Sequence, residues 1–382
     1  MGFFSNKSIN YLNISNSFFE LMSQISNVFV AVFLYKQGFS ITKIFIVLAL
    51  IFGMRILMRF ITLPILAKLG LRKTIMLGLV GNGISILNLS LVEGIDGWLV
   101  SYILMFALFN SMYWLCFHIF YTLSGEEKHR GKQYAMRSAF ILSLQAIFPL
   151  ISGFVIEHSG YGLYFALSIP ITILGLIPLF KCPDIKNDSI NFKLSKEIFS
   201  YYGVKTGILW SFYDAAVTNS WFLIILMFFA GKVTSFGGIL SFGIIVQVLW
   251  QLLIGRHIDA GKKRIFAIKG GIIIVLVLFC RSFLELSLTI VIALELMFAI
   301  GKLNLLSVRD VEVYNNSHKS HNVMQYWIFT EIARDAGNVL GYFSVALLLQ
   351  SGLQIREAML VALPALITLI YIVSSKKSST HS

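Results

Sequence analysis

The chain has 382 residues, of which 57% are hydrophobic and only 13% charged. A water-soluble domain carries about 25% charged residues. A globule this long could not hide so much apolar surface, 33 Phe side chains among it. The same aromatic content excludes a disordered chain, which leaves a polytopic membrane protein.

Apolar stretches follow in chain order at 14–35, 42–64, 74–92, 98–121, 138–157, 162–180, 204–230, 236–254, 267–280, 285–307, 324–349 and 358–373. A bilayer core about 30 Å thick takes about 20 helical residues to cross. Twelve such spans leave only short connections, and the absence of long alternating strands argues against an outer-membrane barrel. The predicted fold is an all-α polytopic bundle of twelve transmembrane helices. The first 13 residues lack a basic run and a cleavage site, so span 1 reads as a retained helix rather than a signal peptide.

Orientation follows from the cations. With both ends placed inside, the inner segments hold 22 of the 31 Lys and Arg, the spans four, and the outer loops five: Lys36, Lys43, Lys232, Arg281 and Arg356. The positive-inside rule then puts both termini in the cytoplasm of a cell membrane. The net charge of +13 becomes an orientation signal, with attraction to anionic lipid heads, and implies no nucleic-acid partner. Cys116, Cys182 and Cys280 form no C-x-x-C pair, so neither a disulfide framework nor a metal or other cofactor is expected.

The chain also repeats itself. Ser17-Phe18-Phe19-Glu20 returns as Ser211-Phe212-Tyr213-Asp214, Met136 aligns with Met324, and Gly153 aligns with Gly341. The predicted organisation is an N-terminal six-helix half at 1–180, a cytoplasmic join at 181–203 and a C-terminal half at 204–382, a parallel repeat of the kind transporters carry. Phe192, Phe199 and Tyr202 share one helical face of the join, which reads as either a short interfacial helix or a flexible linker.

Charge within a span costs roughly 2.5–3.5 kcal/mol on insertion scales, so its placement is informative. Spans 3, 6, 9 and 12 have none in their central parts, which suits four lipid-facing helices around eight that enclose a wet cavity. Asn13, Asn16, Glu20, Gln24 and Asn27 form one helical stripe in span 1, and Ser211, Asp214 and Thr218 repeat it in span 7. Glu331, Asp335, Asn338 and Tyr342 do the same in span 11, beside Arg334. Arg55 and Arg59 in span 2 align with the neutral Gln247 and Gln251 in span 8.

Glu20 and Asp214 are the candidates for proton coupling. Asn16, Gln24, Asn27, Arg55, Gln247, Gln251, Glu295, Glu331, Arg334, Asp335 and Asn338 are candidates for the cavity. Plainer roles compete with these. The two acids serve as structural partners of Arg55 or Arg334, Glu331 pairs with Arg334 within one helix, Arg59 and Lys302 snorkel to the membrane surface, and His118 is a hydrogen-bonded structural residue.

At these residues the chain resembles the major facilitator superfamily of secondary transporters. Ala67-Lys68-Leu69-Gly70-Leu71-Arg72-Lys73 is similar to the second half of the family's loop 2–3 signature, with Ala67 where an acid is usual. Gly255-Arg256-His257-Ile258-Asp259 keeps the Gly and the acid ahead of Lys262. The resemblance implies that Lys68, Gly70, Arg72, Lys73, Gly255, Asp259 and Lys262 belong to gating loops. Phe148-Pro149-Leu150-Ile151-Ser152-Gly153 is only faintly similar to the exporter element of span 5. The implied mechanism is alternating access about a site built by spans 1, 4, 7 and 10.

The expected function is therefore proton-coupled secondary transport of a small organic solute by a monomer. Efflux of lipophilic cations and a transport-inactive membrane sensor are the alternatives. Enzyme signatures such as His-Glu-x-x-His and Gly-x-Ser-x-Gly are missing, as is a phosphate-binding loop.

Overall fold

The structure is a computed structural model and describes residues 6–125, 130–185, 196–258 and 263–375. Among the described residues all regular structure is helical. A lipid environment enforces this, because a helix satisfies its backbone N–H and C=O groups within one segment. A broken column of α1 (Lys7–Asn27) and α2 (Phe29–Lys36) leads into α3 (Ile41–Leu69), α4 (Leu71–Leu89) and α5 (Gly97–Ser124). Next come α6 (Arg130–Gln145), α7 (Phe148–Ala166) and α8 (Ser168–Leu179), with α7 turning at Gly160, whose φ is +76°.

A 3-10 turn at Lys196–Ser200 precedes α9 (Tyr202–Phe228), α10 (Val233–Ile258), α11 (Lys263–Phe283), α12 (Leu288–Lys319) and α13 (Val323–Gln350). The chain then runs through α14 (Ile355–Ala358) into α15 (Leu363–Ser374). Ser40, Asp96, Ser287 and Asn322 begin α3, α5, α12 and α13 by accepting hydrogen bonds from backbone N–H groups of the first turn.

Among the described residues ten helical stretches are long and apolar enough to cross a membrane. Two of the twelve expected spans fall short of that measure. Arg72, Lys73, Asn82 and Asn88 dilute the apolar run of α4, and α8 is only 12 residues long. The helices α4, α8, α11 and α15 nevertheless turn Ile84, Ile173, Ile272 and Ile367 outward, as do the outer faces of α3, α7 and α13.

Side-chain burial collects on the opposite faces. In one group α1 packs on α8 and α6, and α5 packs on α3 and α4; in the other α9 packs on α13 and α15, and α12 packs on α10 and α11. The groups meet along α3–α13 and α7–α10. Glycine permits the second meeting. A Cβ on Gly237 would stand 2.1 Å from the carbonyl oxygen of Pro149, and one on Gly153 would stand 2.5 Å from that of Val233.

Small residues allow such backbone approach between membrane helices. Gly237→Val is therefore expected to destabilise the fold by about 1–3 kcal/mol through overpacking, read as a lower melting temperature in detergent. Unchanged melting would contradict the close α7–α10 contact.

Candidate functional site

A cavity of about 530 Å³ lies between the two helix groups. It is lined by polar groups from α1, α3, α9, α12 and α13, namely Glu20, Arg55, Asp214, Lys302 and Asn338, and by aromatic rings such as Trp114, Trp210 and Phe222. Its size suits a small organic molecule.

The wall between α3 and α13 is a buried ionic cluster. Arg59 is 1% exposed and donates from Nε to Asp335 Oδ2 at 2.9 Å. Its Nη2 donates to Asp335 Oδ2 at 2.5 Å and to Glu331 Oε2 at 3.1 Å. Arg55 Nη2 lies 3.2 Å from Asp335 Oδ1, with its guanidinium 4.8 Å from the centroid of the Phe52 ring. Arg334 Nη1 donates to Glu331 Oε1 at 2.7 Å. Charges this deep are held only by close partners.

From that cluster a polar chain crosses the cavity floor to α1. Arg334 Nη1 also donates to His118 Nε2 at 3.2 Å. The same Nε2 lies 3.5 Å from Glu331 Oε1, and Nδ1 meets the Tyr314 hydroxyl at 2.7 Å. Trp327 stacks on His118 at 4.3 Å between ring centroids. The Tyr314 oxygen accepts a bond from Arg137 Nη1 at 3.2 Å.

Arg137 in turn donates from Nε to Asn16 Oδ1 at 2.7 Å, and its Nη2 stands 3.8 Å from Glu20 Oε1. The chain thus runs Asp335–Arg59–Glu331–Arg334–His118–Tyr314–Arg137–Glu20, from α13 to α1. Close by, Trp327 Nε1 donates to Thr122 Oγ1 at 2.8 Å, and the Thr122 and Ser317 hydroxyls meet at 3.1 Å. These contacts tie α5 to α12 and α13 at the end where α1 begins. At the other end Phe29 of α2 packs edge-on against Phe236 of α10, which packs against Phe222 of α9. There Glu157 of α7 accepts from Thr234 N–H and Oγ1 at 3.1 and 2.5 Å. Contacts between the two groups of helices are thus present toward both ends of the cavity.

A family model described as the Major Facilitator Superfamily matches residues 12–308. The chain belongs to the Major Facilitator Superfamily. Its fold is similar to the crystal structure of the human organic anion transporter MFSD10 (TETRAN), with a TM-score of 0.72 at 9% identity over 96% of this chain and 99% of that one. A POT family transporter solved in complex with 5-aminolevulinic acid is similar at a TM-score of 0.71 and 15% identity, over 99% of this chain and 98% of that one. At such identities the likeness is one of fold. No curated protein matches the chain in sequence. As a member of the superfamily it is a multi-pass membrane transporter of small molecules rather than an enzyme.

On this superfamily fold, Glu20, Asn27, Arg55, Asp214, Glu331, Arg334, Asp335 and Asn338 line the cavity. The other cavity candidates do not line it. Asn16 is fully buried and reaches the cavity only through Arg137, and Gln24 is buried inside α1. Gln247 and Gln251 on α10 stand outside the lining. Glu295 is taken up elsewhere: Arg281 Nη2 lies 2.7 Å from its Oε1, which also accepts from Trp221 Nε1. Arg281 was assigned to an outer loop by charge counting, but it lies within α11, 1% exposed, between the Trp221 and Phe298 rings.

The gating candidates divide as well. Gly70 has a φ of +82°, which favours glycine, and Arg72 donates to the Cys182 carbonyl at 2.9 Å and lies 3.8 Å from Asp184. This segment docks on the end of α8. Lys68 and Lys73 are exposed, Gly255 falls in α10, and Asp259 and Lys262 lie outside the described residues.

Sequence reasoning missed three cations. Arg59 does not snorkel but is buried against two carboxylates, Arg137 belongs to the polar chain rather than to a loop, and Arg309 lines the cavity beside Asp310 at 3.2 Å. Glu331 and Arg334 do pair within α13, three residues apart.

Proposed function

We propose that the chain moves a small organic solute across the cell membrane by alternating access, coupled to protons at Glu20. In this reading twelve helices form two six-helix halves at 1–180 and 204–382, joined by a cytoplasmic segment at 181–203. Both termini are cytoplasmic, the protein works as a monomer, and the end where α1 begins is the inner gate.

The observation that carries the reading is the Glu20–Arg137–Tyr314 chain. Glu20 lines the cavity, and Arg137 spans from its carboxylate to Tyr314, which belongs to the other half. Protonating Glu20 removes the charge that holds one side of Arg137. The balance between α1 and α12 then changes at the inner gate, so a proton bound in the cavity biases a two-state element.

The test is a solute-driven pH change. With a pH dye inside proteoliposomes, adding a transported solute should shift the internal pH; solute movement with no shift contradicts the coupling. Efflux of lipophilic cations is the second reading, favoured by the aromatic lining and by the carboxylates of Glu20 and Asp214. Competition by a lipophilic cation that disappears in Asp214→Asn would support it.

A further inference from the structure

Charges that line the cavity can be sorted by whether the protein already neutralises them. Arg55 is paired with Asp335, Arg334 with Glu331, Arg309 with Asp310 and Arg137 with Glu20. Such charges already have a counter-charge, so they gain less from a charged solute than an unpaired one would, although Arg55 keeps an Nε with no hydrogen-bond partner among the described residues. Two lining charges remain after this subtraction. Among the described residues no carboxylate lies within ion-pair distance of Lys302, which acts on the Glu20 carboxylate only at longer range and whose Nζ stands 5.7 Å from the centroid of the Phe298 ring. Asp214 on α9 accepts from Thr218 Oγ1 at 2.8 Å and, among the described residues, has no cation within ion-pair distance. Both residues are half-buried.

An uncompensated charge in a membrane-depth cavity is costly, and a counter-charge brought by a ligand relieves that cost. One cation and one anion that form no ion pair among the described residues face the same 530 Å³ space. We infer that the solute is a zwitterion, with its acidic group held by Lys302 and its amine by Asp214. This rests on the transport reading above and sharpens it, since it assigns recognition to α9 and α12 and leaves Glu20 for the proton.

Purified full-length protein tests the assignment with a matched trio of one carbon skeleton: γ-aminobutyrate carries both charges, butyrate only the acid, and butylamine only the amine. Glycine, β-alanine, 5-aminovalerate and phenylalanine extend the zwitterion series in length and bulk. Thermal shift and titration calorimetry are read on wild type, Lys302→Gln and Asp214→Asn. At least one zwitterion should bind more tightly than its single-charge partners. Each variant should weaken that binding on the order of ten- to a hundredfold, the worth of one charge-assisted contact. Lys302→Gln should abolish the response to the acid alone, and Asp214→Asn the response to the amine alone.

A ligand-free melting temperature equal to that of wild type shows that each variant folds. Tight zwitterion binding unaffected by both substitutions overturns the inference, and so does silence across the whole zwitterion series. Counterflow in proteoliposomes separates the two claims. Binding through both residues without exchange would sink the transport reading and leave the site, whereas exchange of lipophilic cations or dianions alone would keep transport and sink the zwitterion.

Discussion

Asp335→Ala is expected to cost about 3–5 kcal/mol of stability, the usual effect of breaking a buried ion pair by removing one partner. Asp335 is 0% exposed and is the carboxylate that Arg55 and Arg59 share. Arg59 would keep only Glu331 at 3.1 Å, a carboxylate already committed to Arg334, and Arg55 would lose its partner altogether. Melting in detergent should fall well below wild type. The double variant Arg55→Leu/Asp335→Leu separates charge from shape, because replacing both members by apolar side chains leaves fewer charges stranded. It should recover more than half of the loss. If the single variant melts like wild type, the α3–α13 cluster does not hold the two helix groups together.

The second large effect falls on transport. Glu20→Gln keeps the shape of the side chain and removes its titration, so gradient-driven accumulation should disappear while solute binding and counterflow persist. The geometry favours this split. Glu20 is lightly held, with the Arg137 guanidinium 3.8 Å away, and α1 is fixed beside it by Gln145, which donates to the Glu20 backbone carbonyl at 3.0 Å. A glutamine carbonyl can still accept from Arg137, so folding should be little changed. Accumulation at wild-type levels in Glu20→Gln would remove this residue from the coupling.

What could be read from the sequence was whatever depends on local spacing. The stripe through Asn16, Glu20 and Asn27 follows from helical periodicity, and membrane charge has few reasons to exist apart from function or pairing. What could not be read depends on partners distant in the chain. Arg59 finds its carboxylates on α13, 276 and 272 positions away, and nothing local distinguishes it from a snorkelling arginine.

Arg281 and Glu295 misled in complementary ways. Charge counting puts the arginine in a loop and a charge within a span makes the acid a cavity candidate, yet the two are buried against each other, with Arg281 inside α11. Arg137 was hidden by its place near a helix start, where basic residues normally serve orientation. Lys302 reads in sequence as a snorkelling residue, and its lack of an ion pair stands out only once the other lining arginines are matched with their carboxylates.

Alternating access itself is tested most directly by distances across the two ends of the cavity. In a chain freed of Cys116, Cys182 and Cys280, one spin-labelled pair at the exposed positions Leu123 and Lys319 reports the end where Thr122 meets Ser317 and His118 meets Tyr314. A second pair at the exposed positions Lys36 and Lys232 reports the opposite end. Electron–electron double resonance at pH 5.5 and 7.5 should show two distance populations for each pair, one growing at one end as the other shrinks at the opposite end. Glu20→Gln should freeze that exchange at a single ratio across both pH values. Distances that stay fixed, or that lengthen together at both ends, would contradict a rocking carrier.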